Sequence, residues 1–449
     1  MGKTGMKRKF FKFLLPSVSA MWVFSIYTMV DGMFVGKGVG PTALAAVNIS
    51  MPFINIVFGI SLLMSIGAST MVSMSMGKGD FKRASRLFTM SSMILCGTGL
   101  LITAISVGRL EGIATFLGAD SVTMDYVKDY LGIIIPFCSF FMVAYYLEVL
   151  VKADGFPRYA ILFVSVAAIT NLALDYVFIM KFGWGVRGAA WATGISQLIS
   201  CIGFMAHFVM GRSNMKLTRP VFDMGDILAM VSTGFPEAVT EFSTGIMVYF
   251  FNFSILRHIG EDGVAAFGVM MYANSLVVMS MIGINQAMQP LVSFFCGRRD
   301  SESVKGILRL SFKSVAAASI LFALISQVFA GEIVELFISR SDSHIYELSK
   351  GAFRIFSASF LICGFNIIIS GYFTATRQVK RALLISSVRG IALVAIFVTL
   401  LPMAFGEFGI WISLFVSEIV ALGISAWMLS RSMMPADSVQ RDAKSTKTA

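Results

Sequence analysis

Long apolar runs separated by short polar segments organise the whole chain. Runs long enough to cross about 30 Å of hydrocarbon lie near 13–34, 44–76, 87–108, 130–151, 159–180 and 186–210, and again near 227–256, 264–296, 306–330, 351–375, 382–402 and 408–430. The pattern predicts an all-α integral membrane protein with twelve transmembrane helices in two bundles of six. The polar segment GRSNMKLTRPVFDMGD (211–226) divides the two sets. The expected organisation is a first six-helix lobe over 1–215, a second over 216–432, and a polar cytoplasmic tail over 433–449. The basic N-terminus followed by an apolar run looks superficially like a signal peptide. No small-residue cleavage site follows and the run reaches spanning length, so it reads as a retained first span. Pro16, Pro52 and Pro236 fall within or at the start of spans, where a membrane helix tolerates a bend if neighbours satisfy the freed carbonyl.

The two sets are copies of one another. Adding 220 to the numbering carries Pro16 onto Pro236, Gly40 onto Gly260, Ala45 and Ala46 onto Ala265 and Ala266, Gly77 onto Gly297 and Asp80 onto Asp300, without a gap. Later, GVRGAAWATGISQ (185–197) matches FGEFGIWISLFVSE (405–418), with Gly188 over Gly409 and Ser196 over Ser417. Six is an even number of crossings, so both copies enter the membrane from the same side. They are expected to be related by a pseudo-two-fold axis along the membrane normal, with a cavity between them, as in transporters that rock one bundle against the other.

Composition agrees with a membrane protein and changes the meaning of the charge. The 449 residues are 57% hydrophobic and 14% charged, too little charge to cover the surface of a soluble protein of this length. A net charge of +11 would suggest nucleic acid in a soluble chain. Here, with the N-terminus placed inside, 25 Lys/Arg fall in inner segments and 8 in outer loops, as the positive-inside rule requires. Both termini are therefore expected in the cytoplasm, the protein in the bacterial cytoplasmic membrane, its surroundings lipid, and nucleic acid is not expected as a partner. The five cysteines form no CxxC or Cys/His cluster, so neither a disulfide framework nor a structural metal is expected.

An ionisable group within a span costs roughly 2.5–3.5 kcal/mol on insertion scales, so each one asks for a reason. Six acids sit there: Asp31, Glu148, Asp175, Glu237, Glu241 and Glu418. Asp31 lies eighteen residues after Phe13 and Asp175 sixteen after Tyr159, in spans that run in the same direction. At about 1.5 Å per residue their carboxylates reach depths within about 3 Å of each other. Asn171, one turn deeper on the face of Asp175, can complete a proton-sensitive or sodium-coordinating network with them. The bland alternative is that Asp31 caps the span at the interface and Asp175 makes a packing hydrogen bond. The repeat counterparts of these acids, Phe251 and the stretch Val394–Phe397, are apolar, so coupling chemistry is expected in the first lobe only.

The other buried polar groups divide less cleanly. Glu237 and Glu241 share a face after Pro236; Glu237 fits a solvated position near the inner mouth, while Glu241 is a candidate for the cavity wall and for attracting a cationic substrate. Arg389 and Glu418 read as a structural ion pair between neighbouring helices. Glu148 and Lys152 read as an i,i+4 pair at the interface. Asn48, Asn55, Asn274, Asn285, Gln286 and Gln289 fall in the second and eighth spans, which the repeat makes equivalent. They either line the cavity, which is the expectation adopted for Asn48, Asn55, Asn274 and Gln286, or join helices by hydrogen bonds. The 41 Phe and 30 Met suit a cavity for amphipathic cations, or simply face lipid. No phosphate-binding loop, nucleophile-base pair or metal-protease signature appears, so ATP, enzymatic activity and a bound cofactor are not expected, and the energy must come from an ion gradient.

VDGMFVGKGVGPTALAAVNISMP (30–52), MGKGD (76–80), NLALDYVFI with GVRGAAWATGISQ (171–197) and GINQAMQPLVSFFCGRRD (283–300) together resemble the multidrug and toxic compound extrusion (MATE) family, in its bacterial MepA-like branch, along essentially the whole chain. The resemblance implies a MATE fold and export of organic cations and drugs in exchange for H⁺ or Na⁺, with a first-lobe cation site matching Asp31, Asn171 and Asp175. Glu241 in TEFSTGIM looks like the seventh-span acid of that branch, whereas the tenth-span acid of another branch has no match in SASFLICGFNIIISGYF. The expected function is multidrug efflux by a monomeric cation-coupled antiporter. A flippase or exporter of a lipid-linked or other metabolite, and a membrane-embedded assembly factor, are the alternatives.

Overall fold

Hydrocarbon offers backbone N–H and C=O groups no water to bond, so an apolar run must close its hydrogen bonds on itself, and each of the runs forms a helix. The computed structural model describes residues 3–211, 213–340 and 342–432; the tail expected at 433–449 lies outside the described residues. Among the described residues, eleven continuous stretches are long and apolar enough to cross a membrane. They are α1 (Thr4–Gly38), α2 (Pro41–Gly77), α3 (Phe81–Val107), α4 (Met124–Ala153), α5 (Pro157–Lys181), α6 (Gly185–Val209), α7 (Met224–His258), α8 (Glu261–Gly297), α9 (Ser301–Val328), α10 (Ser343–Ala375) and Val379–Ser432. The last breaks at Gly406, whose φ of 57° and ψ of −139° lie outside the helical region. Its two legs, α11 (379–405) and α12 (407–432), run antiparallel: the Ser413 hydroxyl donates to the Phe397 carbonyl at 3.1 Å and the Ser417 hydroxyl to the Leu393 carbonyl at 3.2 Å. The stretch is thus two passes, which makes twelve.

The repeat extends to the backbone. Gly40 and Gly260, 220 apart, both precede a long helix with positive φ, 126° and 100°. Asp80 and Asp300 cap α3 and α9 in the same way, each accepting a hydrogen bond from the backbone N–H three residues on, Arg83 at 2.9 Å and Ser303 at 3.0 Å. Between these elements the chain turns through Gly79 at φ 80° and, in the second copy, through Arg299 at φ 58°, so an arginine holds a conformation that favours glycine.

Packing joins the halves at one end. Phe10 of α1 is buried in the core built from α7–α12, and Met230 of α7, its partner under the 220-residue shift, is buried in the core built from α2–α6. The contact is closest along a seam of glycines. A Cβ on Gly67 would lie 1.9 Å from the carbonyl oxygen of Met230, and one on Gly234 1.7 Å from that of Leu63. A Cβ on Gly77 would lie 2.0 Å from the Phe294 carbonyl oxygen, and one on Gly297 2.2 Å from that of Met74. The last two contacts are the same contact twice, since Met74 and Gly77 map onto Phe294 and Gly297. All four lie toward the basic face, the end of the molecule where α1 begins and where the basic loops cluster.

Candidate functional site

Away from the seam, α1, α2, α4–α8 and α10–α12 draw apart around a cavity of about 510 Å³. Its wall on α2 begins at Met51 and ends at Ile66, where the glycine seam takes over. Most of the lining is apolar, with Met21, Phe24, Phe58, Phe141 and Met247 among it, as in sites that accept amphipathic molecules. The polar part of the wall includes Asp31, Asn55, Glu241, Asn274 and Gln286. Asn48 is exposed and does not line the cavity. The seven-residue spacing to Asn55 would align the two on one helix face, but Asn48 lies about 5 Å beyond Met51 along the helix, past the end of the wall.

Asp31 is not a cap. α1 continues past it to Gly38, and its Oδ1 is buried without a hydrogen-bond donor. Asp175, fully buried, has no donor at either carboxylate oxygen. The two carboxyls face each other closely enough to share a hydrogen bond when one carries a proton. Asn171, also fully buried, donates from Nδ2 to Thr193 Oγ1 at 3.3 Å and leaves its Oδ1 free. Asp175 ends the regular part of α5; from Tyr176 to Lys181 the helix widens into a π-helical turn, a deviation often found at functional sites. The side chains of Tyr27, one turn before Asp31, and Tyr130 lie within electrostatic range of both acids. Unpartnered acceptors in dry surroundings cost energy, and Asp31 Oδ1, Asn171 Oδ1 and both Asp175 carboxylate oxygens stand in that position together. Asp31 stands in the cavity wall and Asp175 and Asn171 behind it.

On the opposite side, Arg389 and Glu418 form an ion pair at 2.7 Å, and Asn366 Nδ2 donates to Glu418 Oε2 at 2.6 Å. Arg389 lies in a π-helical turn of α11, Val388–Ala392, and both charges border the cavity. Glu237 also lines it, with Gln289 Nε2 donating to its Oε1 at 2.6 Å, rather than standing in solvent near the mouth. Glu241 has no hydrogen-bond partner in the cavity wall. Glu148 lines the cavity too, paired with Lys152 at 2.5 Å; both are buried, so the pair is internal and not interfacial. Two of the cavity carboxylates are thus neutralised, by Lys152 and Arg389, while Asp31, Glu237 and Glu241 have no basic partner. Sequence reasoning missed Thr193 and Tyr130, which carry no signal in the chain; the i,i+4 spacing to Asp31 could have found Tyr27.

The sequence model of the MatE family matches residues 16–177 and 236–401, one segment in each half. The multidrug export protein MepA of Staphylococcus aureus (strain bovine RF122 / ET3-1) is 22% identical over 412 residues, covering 90% of this chain and 89% of MepA. Among solved structures, an outward-facing conformation of a multidrug resistance MATE family transporter of the MOP superfamily superposes with a TM-score of 0.90, at 20% identity, covering 95% of this chain and 96% of that one. A MOP superfamily transporter from Pyrococcus furiosus, described as having a binding pocket of reverse polarity that suggests a different function, superposes with a TM-score of 0.88 at 20% identity, covering 95% and 96%.

Proposed function

The chain belongs to the MatE family, and from that premise we propose that it is a cation-coupled antiporter that exports amphipathic organic cations across the cytoplasmic membrane by alternating access. The observation that carries the reading is the Asp31–Asp175 pair, buried, short of donors, and half exposed to the cavity through Asp31. Two carboxyls that share a hydrogen bond hold one proton between them. A sodium ion can take the proton's place, because Asn171 Oδ1 and the Thr193 hydroxyl add neutral oxygens to the two carboxylates. Either ion removes negative charge from the cavity wall. Loading the pair therefore weakens the hold on a cationic cargo, and emptying it restores the attraction.

The basic face corresponds to the cytoplasm by the positive-inside rule. With the glycine seam closed on that side, the cavity is shut off from the cytoplasm, the state in which cargo leaves and the coupling ion enters. Glu237 and Glu241, without basic partners, draw the cationic group of the cargo, and the aromatic and thioether wall takes its apolar part.

The test uses the purified protein in proteoliposomes. Ethidium efflux is driven by an imposed pH gradient and, separately, by an imposed sodium gradient, with one expected to drive it. Asp175→Asn is expected to abolish gradient-driven efflux while the protein still purifies as a folded species. Coupled efflux at the parent rate in that variant refutes the site; failure of both gradients to drive the parent protein refutes the coupling.

A further inference from the structure

Lys152 is the only buried lysine among the described residues, 2% exposed, and it is held from both halves of the molecule. Its Nζ lies 2.5 Å from Glu148 Oε1, one turn back on α4, and donates at 2.8 Å to Gln286 Oε1 on α8. The Gln286 amide is fixed from the other end as well, its Nε2 pointing to Met21 Sδ of α1 at 3.8 Å. Glu148 and Gln286 line the cavity and Lys152 does not, so the ammonium sits just behind the wall, toward the basic face.

We propose that the Lys152–Gln286 hydrogen bond is a latch that holds the two halves together beneath the cavity, acting beside the glycine seam, and that it breaks whenever the cavity opens toward the basic face. Lys152 is a positioning residue in this role; it acts on the cargo only through the gate. The partner on its own helix explains how the latch can be reversible. A buried charge that loses its only partner is strongly destabilising, but Lys152 keeps Glu148 when Gln286 moves away. Opening therefore forfeits one charge-assisted hydrogen bond and strands no ion. A bond of that kind changes an equilibrium by about tenfold to a hundredfold, enough to bias the gate without freezing it. The inference rests on the alternating-access part of the reading above, and not on which ion or cargo is moved.

The experiment reads the gate directly. Spin labels are placed at Arg158→Cys and Lys380→Cys, two exposed positions at the basic face, one in each half, in a chain with its five native cysteines replaced. Distances are measured by pulsed dipolar spectroscopy in lipid nanodiscs without cargo or gradient. Gln286→Leu is expected to raise the ratio of long to short distances at least tenfold, and Gln286→Glu, which offers the ammonium a carboxylate, to lower it. A Gln286→Leu protein that elutes as a single folded species with the parent distribution overturns the latch. Should that variant not fold, Gln286→Asn, one methylene too short to reach, takes its place, and unchanged distributions in it and in Gln286→Glu overturn the proposal equally. A parent protein that moves no cation yet shows these shifts refutes the transport reading and leaves the latch standing.

Discussion

Gly234→Ala probes the seam at its tightest point. The added methyl would sit 1.7 Å from the Leu63 carbonyl oxygen, against 3.4–4 Å for ordinary contact. The obstacle is backbone, so no side chain can swing aside, and α2 and α7 must part by about 1.5 Å or more. Overpacking of this kind costs about 1–3 kcal/mol. In this molecule the strain is largely specific to one state, because a gate open at the basic face separates the two surfaces and relieves it. The ratio of open to closed molecules should therefore rise about 5- to 150-fold, read with the label pair at positions 158 and 380. Gly97→Ala is the control, since a Cβ there meets nothing within 4 Å, and it should leave the distribution alone. If Gly234→Ala behaves like Gly97→Ala, or lowers folding stability without moving the distances, the seam is ordinary packing and not a gate.

Two further expectations concern stability. Asp300 caps α9 through the Ser303 backbone N–H and hydroxyl, and these bonds hold its carboxyl below the ordinary value of 3.8. A carboxyl whose folded pKa is depressed contributes stability that is present above the unfolded value and is lost as pH falls through the folded one. Asp300→Ala should accordingly lower the thermal midpoint in detergent by the equivalent of about 1 kcal/mol at neutral pH, with the gap to the parent narrowing below about pH 4; a gap independent of pH refutes this. Arg389→Met strands the buried Glu418 carboxylate and should cost about 3–5 kcal/mol, most of which Arg389→Met combined with Glu418→Leu should return. A double variant as unstable as the single one would show that the ion pair is not what the site depends on.

The passes and their duplication are legible in the chain because both rest on local rules. Run length gives the span, and the offset of 220 survives from Gly40 and Gly260 down to matching backbone angles. The pairing of Asp31 with Asp175 is also within reach, since two helices running the same way at a fixed rise place their residues at calculable depths. What the sequence withholds is lateral placement. Asn48 has the right spacing on the right helix but lies past the end of the wall. Glu148 and Lys152 have the look of an interfacial pair, and only the approach of α8 in space turns Lys152 inward to Gln286. The seam glycines are indistinguishable by sequence from Gly97, and a carbonyl from the other half is what sets them apart.

The reciprocal contact of Gly77 with Phe294 and of Gly297 with Met74 makes the closure symmetric. A contact in which each partner offers the same patch to the other is the kind a free six-helix unit makes with a second copy of itself. The two halves of this chain therefore meet here as two copies of one unit would, across a covalent join. The likeness stops at the cavity: a dimer encoded once would carry Asp175 in both subunits and Arg389 in both, whereas the joined chain has an acid pair in one half and an ion pair in the other. Division of labour is written into the walls of the cavity, while the closure beneath it remains that of two equals.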